Sequence, residues 1–369
     1  MSLYAIAMNI IITDIDAIRV HRLARTPDAL FRLVPFYEEV ASGPFHTRKD
    51  YVQQVLPTLE GLGLALSGQP LHVYVSNPNY RTRFPELIAK VKAGYLPMGS
   101  FWKVVPKDIE VAHAMQESGL AVFVDSPELC VVTRAAASLC GGAKAKCRIY
   151  PLAKAMALAA EFCGFFSMNP FDPARGECLY DIPPIITAEA LREYVTRAQN
   201  ISGLVVAREA ARHVVDRFGS IREVALYACL VLRPGLGGLH LEKPDVNAPL
   251  KLKDKQLALI KHESITPDLY WLIYKLVLEY DGSDHYTEDG AYEDKRRVFD
   301  YQALGLTVIP VTSEDLSNRK ALEKLFKIIV RQMVKVDGEK LAHRIRTTLR
   351  NEGYCDCREL LLSAILAVE

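Results

Sequence analysis

Asp268, Glu279, Asp281 and His285 fall within eighteen residues of one another, in the stretch TPDLYWLIYKLVLEYDGSDHY. Carboxylates and an imidazole are what a hydrolytic site needs: oxygens to hold a hard cation and a base to move a proton. Two apolar runs here read as short strands, and a turn near LIYK would pair them antiparallel. Alternation along the second strand sends Glu279 and Asp281 to one face, and the pairing brings Asp268 within reach. Two unit charges about 4 Å apart repel by roughly 4 kcal/mol at an effective dielectric of 20, a large part of a domain's net stability. Such a cluster persists only with a proton or a cation in its midst. Mg²⁺, or Mn²⁺ in its place, suits donors of this kind. Bound there, it would polarise a phosphate and acidify a water for phosphodiester hydrolysis. The bland alternative is that acids at a strand end are solvated and Asp281-Gly282 simply makes a turn.

The elements that must position these groups are legible from residue 220 onward. SIREVALYACLVLR predicts a helix, followed by a Gly/Pro loop, a short strand near 247–252 and the two strands just described. YEDKRRVFDYQALG then predicts a charged helix, LTVIPVT a buried strand, and the segment from Ser313 a basic amphipathic helix. The order is α-β-β-β-α-β-α.

Upstream, residues 1–70 carry helix-like periods and are expected to be mainly helical. LHVYVSN, SFWKVVP and LAVFVDS predict strands, and PELCVVTRAAASLC and YPLAKAMALAAEFCGFF predict helices, so residues 71–215 form an α+β region. Residues 168–187, rich in Pro, Gly and Asp, are the most linker-like stretch, and two helices follow it. The division expected is 1–70, 71–215, 216–335 and a helical tail over 336–369.

Composition narrows the classes. The chain has 369 residues, half of them hydrophobic and 24% charged, which is globular usage. A formal net charge of +1 gives no global basic field, so contact with nucleic acid must rest on local patches. Eight cysteines form no CxxC pair and read as reduced thiols of a cytoplasmic protein. The start lacks the basic region of a signal peptide, and no apolar run reaches the roughly 20 residues of a membrane span. No membrane partner is expected.

TPDLYWLIYKLVLEYDGSDHY, followed by EDKRRVFDYQALGLTVIPVT, resembles the bacterial endonuclease-like domains related to the very-short-patch-repair endonuclease, within the PD-(D/E)XK nuclease superfamily. The shared pattern is a Pro-Asp, an apolar strand ending in Glu-x-Asp-Gly, a nearby His, then Asp-x-x-Arg, Leu-Gly and a hydrophobic strand. It covers about residues 216–335.

The resemblance implies an α/β fold class: a C-terminal restriction-endonuclease-like α-β-β-β-α-β core preceded by an α+β domain. It implies that Asp268 and Glu279 bind the metal. Asp281 and His285 match the Asp-Gly-x-x-His extension, with His285 as base or proton shuttle. Asp294 and Arg297 match the helical Asp-x-x-Arg, with Arg297 on a phosphate oxygen. Glu223 matches an acid carried on the first core helix as a catalytic and metal-binding residue, although Ser220 and Glu223 also form a capping box. The lysine position of the (D/E)xK element is occupied by Asp281, so Lys275, Arg296, Arg297 or His285 must take its role.

Residues 71–215 resemble the non-nuclease region of abortive-infection AbiEi-type antitoxin-like proteins, which implies a protein partner through the N-terminal region. The function implied is metal-dependent endonucleolytic cleavage of double-stranded DNA, in restriction, repair or phage defence. The alternative is a non-catalytic DNA-binding regulator or antitoxin-like protein that keeps the nuclease fold.

Between 319 and 350, ten Lys or Arg face three acids. Lys324, Lys327 and Arg331 are the candidates for phosphate there, against the reading of a solvated helix face. Tyr270 and Trp271 either stack a base or fill the core.

Overall fold

A computed structural model of the chain describes residues 8–40, 47–139, 147–281 and 288–366, with the backbone alone over 288–295. Its first sheet grows around MNIII, β1 (Met8–Ile12), whose three isoleucines are wholly buried. The chain continues through α1 (Asp14–Ala24), β2 (Phe31–Phe36), α2 (Arg48–Asp50) and α3 (Leu56–Gly61) to β3 (Leu71–Tyr74) and β4 (Leu87–Lys90). Then come β5 (Phe101–Pro106), α4 (Ile109–Glu117) and β6 (Leu120–Asp125). The strands lie in the order β2-β5-β6-β1-β3-β4, with β1 parallel to β6 and antiparallel to β3.

Residues 1–70 are therefore not the mainly helical segment that periodicity predicts. β2 is an edge strand and β1 a central one. A five-residue apolar run is too short for its period to separate strand from helix, and what decides is the pairing with residues more than a hundred positions away. At the ends of β1 and β6, the wholly buried Asp125 accepts from Thr13 Oγ1 (2.5 Å) and from Lys92 Nζ (2.6 and 2.7 Å). That buried pair ties three segments together.

α5 (Pro127–Leu139), α6 (Ile149–Cys163), α7 (Ala188–Arg197), α8 (Leu204–His213) and α9 (Ile221–Val231) lead to β7 (Asp245–Val246) and α10 (Asp254–Leu257). Fourteen of the fifteen residues of α6 are buried, so this helix has no solvent face and is surrounded by protein. Its Glu161 is held by Arg22 of α1 in a bidentate pair (2.7 and 2.8 Å) that is itself buried.

The second sheet contains β8 (Leu269–Trp271), β9 (Leu276–Asp281) and, after α11 (Glu288–Ala303), β10 (Thr307–Thr312). Its order is β10-β9-β8-β7. β8 and β9 form an antiparallel hairpin with Leu269 opposite Leu278, and β9 and β10 run parallel over six residues with α11 as the crossover. Alternation sorts the sheet's side chains. Leu269, Trp271, Leu276, Leu278, Ile309 and Val311 enter the large core, while Tyr270, Val277 and Val308 pack with Tyr301 of α11. Tyr270 and Trp271 are buried and serve as core aromatics.

α12 (Ser313–Ser317), α13 (Arg319–Asp337), α14 (Glu339–Leu349) and α15 (Glu352–Leu366) complete the described chain. The inner residues of α13 join the large core, so α11 and α13 cover opposite faces of the second sheet. The whole is mixed α/β. From α9 to α13 the order is α9, β7, α10, β8, β9, α11, β10, α12, α13, so α10 and α12 interrupt the expected α-β-β-β-α-β-α succession, and in place of the strand expected near 247–252 there is the two-residue β7 at Asp245–Val246. α15 packs against both α6 and α9, and one apolar cluster runs from the first sheet to the second. Among the described residues no helix is long and apolar enough to cross a membrane.

A shared core predicts shared unfolding, and the two tryptophans test it, because Trp102 lies on β5 and Trp271 on β8. Leu361 of α15 is wholly buried. Leu361→Ala is expected to cost about 2–5 kcal/mol and to shift both reporters together. Urea titrations followed by fluorescence in Trp102→Phe and Trp271→Phe backgrounds would show it. Separate midpoints would mean two independent cores.

Candidate metal centre at the open end of the second sheet

The hairpin register that pairs Leu269 with Leu278 continues outward to set Asp268 across from Glu279. Asp268 Oδ2 accepts the backbone N–H of Tyr280 (2.6 Å), fixing the acid to the strand that carries Glu279. From the other side comes the first turn of α9. Ser220 caps this helix by accepting from the Glu223 N–H (3.2 Å), and its hydroxyl donates back to Glu223 Oε1 (2.9 Å). Glu223 Oε2 accepts from the Gly219 N–H (2.9 Å) and from Asn247 Nδ2 (2.6 Å). A Cβ on residue 219 would stand 2.9 Å from Glu223 Oε1, so a side chain there would make the carboxylate shift.

Glu223 closes the cap, as its spacing from Ser220 predicts, and it also reaches the sheet end beside Asp268. Asn247 joins the two. Its side chain serves Glu223, while its N–H donates to the Asp268 carbonyl (3.0 Å) from a left-handed conformation (φ +43°).

Glu279 faces α11. Tyr301 Oη, wholly buried, donates to Glu279 Oε1 (2.5 Å), and Arg297 Nη1 stands 3.4 Å from Oε2. One turn of helix separates these two partners, so they share one face of α11. Next to Tyr301 on that helix, buried Asp300 accepts from the Lys261 and His262 N–H groups (2.8 and 3.1 Å) and meets His262 Nδ1 (2.6 Å). This pins the loop before β8 onto α11.

The electrostatics follow from burial. Burial first, and then the charge of Asp268, push the carboxyls of Glu223 and Glu279 up to about 7. Asp268 is raised as well, again by burial, with its bond from Tyr280 and the Arg297 charge acting against the rise. Among the described residues, Arg297 lies against Glu279 and lowers both its carboxyl and that of Asp268. The site meets the remaining negative charge by holding protons or by taking a cation.

The remaining candidates fall in different places. Asp281 is exposed at the outer end of β9, opposite Thr312. Arg296 is half-buried beside Arg297. Lys275 does not reach the cluster: it sits exposed in the hairpin turn (φ +47°), about 13 Å along the strand from Glu279 at 3.3 Å per residue. Lys324, Lys327 and Arg331 are exposed on α13, on the other side of the sheet from α11. His285 lies outside the described residues, as does the side chain of Asp294.

Three hard oxygen donors suit Mg²⁺ or Mn²⁺ by type. Among the described residues, no three His, Cys, Asp or Glu side chains already stand as a metal-ligating group. The Asp268 carboxylate keeps Oδ1 free of hydrogen bonds among the described residues, and the Arg297 guanidinium borders Glu279. The residues therefore fit a cation in donor chemistry, with Arg297 as the positive charge now beside them. Comparison of the chain with protein-family models, with curated proteins and with solved structures finds no match.

Asn247 and Tyr301 escape the sequence reading. Tyr301 had a signal in its spacing of four from Arg297 on a helix; Asn247 had none, because its role depends on a backbone turn.

Raised carboxyls carry a sign. Below about 4.5 folded and unfolded states both hold these protons, whereas between about 4.5 and 7 the folded state binds more. The contribution is thus fully present at low pH and is lost as pH rises through about 7. Metal-free Glu279→Gln is expected to lose less stability than the parent between pH 5 and 8, read as the difference in urea midpoints at fixed ionic strength. Parallel pH curves for the two proteins would remove the raised carboxyl.

Proposed function

We propose that the chain is a metal-dependent endonuclease that hydrolyses DNA phosphodiester bonds, with Asp268, Glu279 and Glu223 as the metal-holding acids. The observation that carries this reading is the meeting at one sheet end of buried Glu223 of α9, partly buried Asp268 just before β8 and partly buried Glu279 of β9, with Arg297 beside Glu279. Nothing in the packing of the apolar core calls for that cluster, and its electrostatic cost argues for a ligand.

The resident ion would be Mg²⁺, with Mn²⁺ accepted. When bound it supplies a polarised phosphate oxygen and a water of lowered pKa. The chain's own groups do the rest. Tyr301 fixes the rotamer of Glu279, and Asn247 sets Glu223 against Asp268, the residue that leads into β8. Arg297, half-exposed, has the reach and the planar fork to turn from Glu279 to a phosphate oxygen. On this reading the positive partner is on α11 rather than on β9, where Asp281 stands in the lysine position of the (D/E)xK element. His285 is assigned the proton-transfer role on the family pattern, and Asp281 is the acid at the solvent edge.

Arg297 seated on Glu279, together with Asp281 in the lysine position, favours a second reading: a DNA-binding regulator or antitoxin-like protein without cleavage. One experiment separates them. Purified protein is incubated with supercoiled plasmid and with mismatched duplexes in Mg²⁺, Mn²⁺ or EDTA, beside an Asp268→Asn, Glu279→Gln double variant. Metal-dependent nicking that the variant lacks is the expected result, with Tyr301→Phe reduced by roughly 10–100-fold. Absence of cutting on every substrate, with no metal-induced rise in Tm at pH 8, would sink the nuclease and leave the regulator.

A further inference from the structure

α13 carries Lys320, Lys324, Lys327, Arg331 and Lys335, all exposed, at steps of four, three, four and four residues. On a helix that spacing confines them to one narrow stripe, diametrically opposite the buried Leu322, Leu325, Phe326, Ile329 and Met333. At 1.5 Å per residue the stripe is about 22 Å long, roughly two-thirds of a turn of B-form DNA.

Surfaces usually mix the two signs of charge, and this one does not. The acids of α13 are turned elsewhere. Glu323 meets Arg319 and Arg358 (3.3 Å each), and Asp337 accepts from Tyr274 Oη (2.8 Å). Among the described residues none of the five cations is in an ion pair, and Lys335 makes one bond, to Gln332 of the same helix.

We infer that this stripe is a docking track for the sugar-phosphate backbone of double-stranded nucleic acid. Three features select that partner. The length and single sign match a row of phosphates, whose neutralisation releases counterions. No aromatic side chain lies on the stripe, so it lacks the stacking platforms that single strands use. The apolar face of α13 is spent inside the core, so the helix cannot insert into a bilayer as an amphipathic anchor would. The track lies on the face of the second sheet opposite α11 and its Arg297–Glu279 pair, so a duplex held there leaves the acid cluster uncovered. It serves as a tether separate from the place where Arg297 would grip a phosphate, and it does not depend on whether the acids cleave.

The test is fluorescence anisotropy of a labelled 30-bp DNA duplex with full-length protein in EDTA, from 50 to 300 mM salt. The parent is expected to bind with an affinity that falls steeply with salt. In Lys324→Ala, Lys327→Ala, Arg331→Ala the affinity at about 100 mM salt should fall at least tenfold, and the slope of log K against log salt should shrink by roughly 2–3. Arg346→Ala, an exposed cation of α14 outside the stripe, should change neither. The triple variant should keep its Tm and any Mg²⁺-induced rise in it, so that a failure of the track is distinguishable from a failure of the acid cluster. Unchanged affinity and slope in the triple variant would overturn the inference. So would tight binding to phosphatidylserine vesicles with none to the duplex.

Discussion

A helix with no solvent face governs how this molecule is put together. α6 is enclosed by α5, α8, α9 and α15, and every side must be supplied by another part of the chain. An apolar helix gains by this, but α6 also takes Glu161 inside, where an unpaired carboxylate would cost several kcal/mol. Arg22 answers with both arms, and Arg25 adds bonds to the carbonyls of Glu161 and Phe166 (3.2 and 2.8 Å). Arg22 belongs to α1 and Arg25 follows directly after it, so the charge inside the helical layer fixes where the first sheet sits. The architecture follows from satisfying one buried helix.

The acid cluster inherits its geometry from that arrangement. Glu223 is placed by α9, which leans on α6 and α15, whereas Asp268 and Glu279 are placed by a hairpin of the second sheet. The site is thus assembled across a seam between the helical layer and the sheet, and Asn247 is the stitch. Strands alone would bring two acids together. The third needs the helix, and the helix needs the core.

What the sequence makes legible here is whatever depends on local pattern. β9, α11 and β10 announce themselves by an apolar run, a charged period and a second apolar run, and the register of Asp268 against Glu279 follows from simple alternation. Ser220 and Glu223 are readable as a cap. Pairing at long range is not readable in this way: MNIII becomes a central strand because residues 120–124 lie beside it, and nothing within five residues says so. Proximity in sequence also misleads. Lys275 is four positions from Glu279, yet a strand carries it to the other end of the hairpin. Asn247 is missed because its contribution is a left-handed backbone that aims two groups at once.

Enclosure of α6 has a cost in time as well as in charge. Its walls include α15, which begins about 190 residues downstream of its own end. At about 5–20 residues per second, a ribosome needs roughly 10–40 s to deliver that wall after α6 has been made. Throughout that interval one flank of a strongly apolar helix has no native partner. Until α15 arrives, that flank of α6 is an exposed apolar surface of the growing chain, so the enclosure that orders the finished molecule also delays its completion.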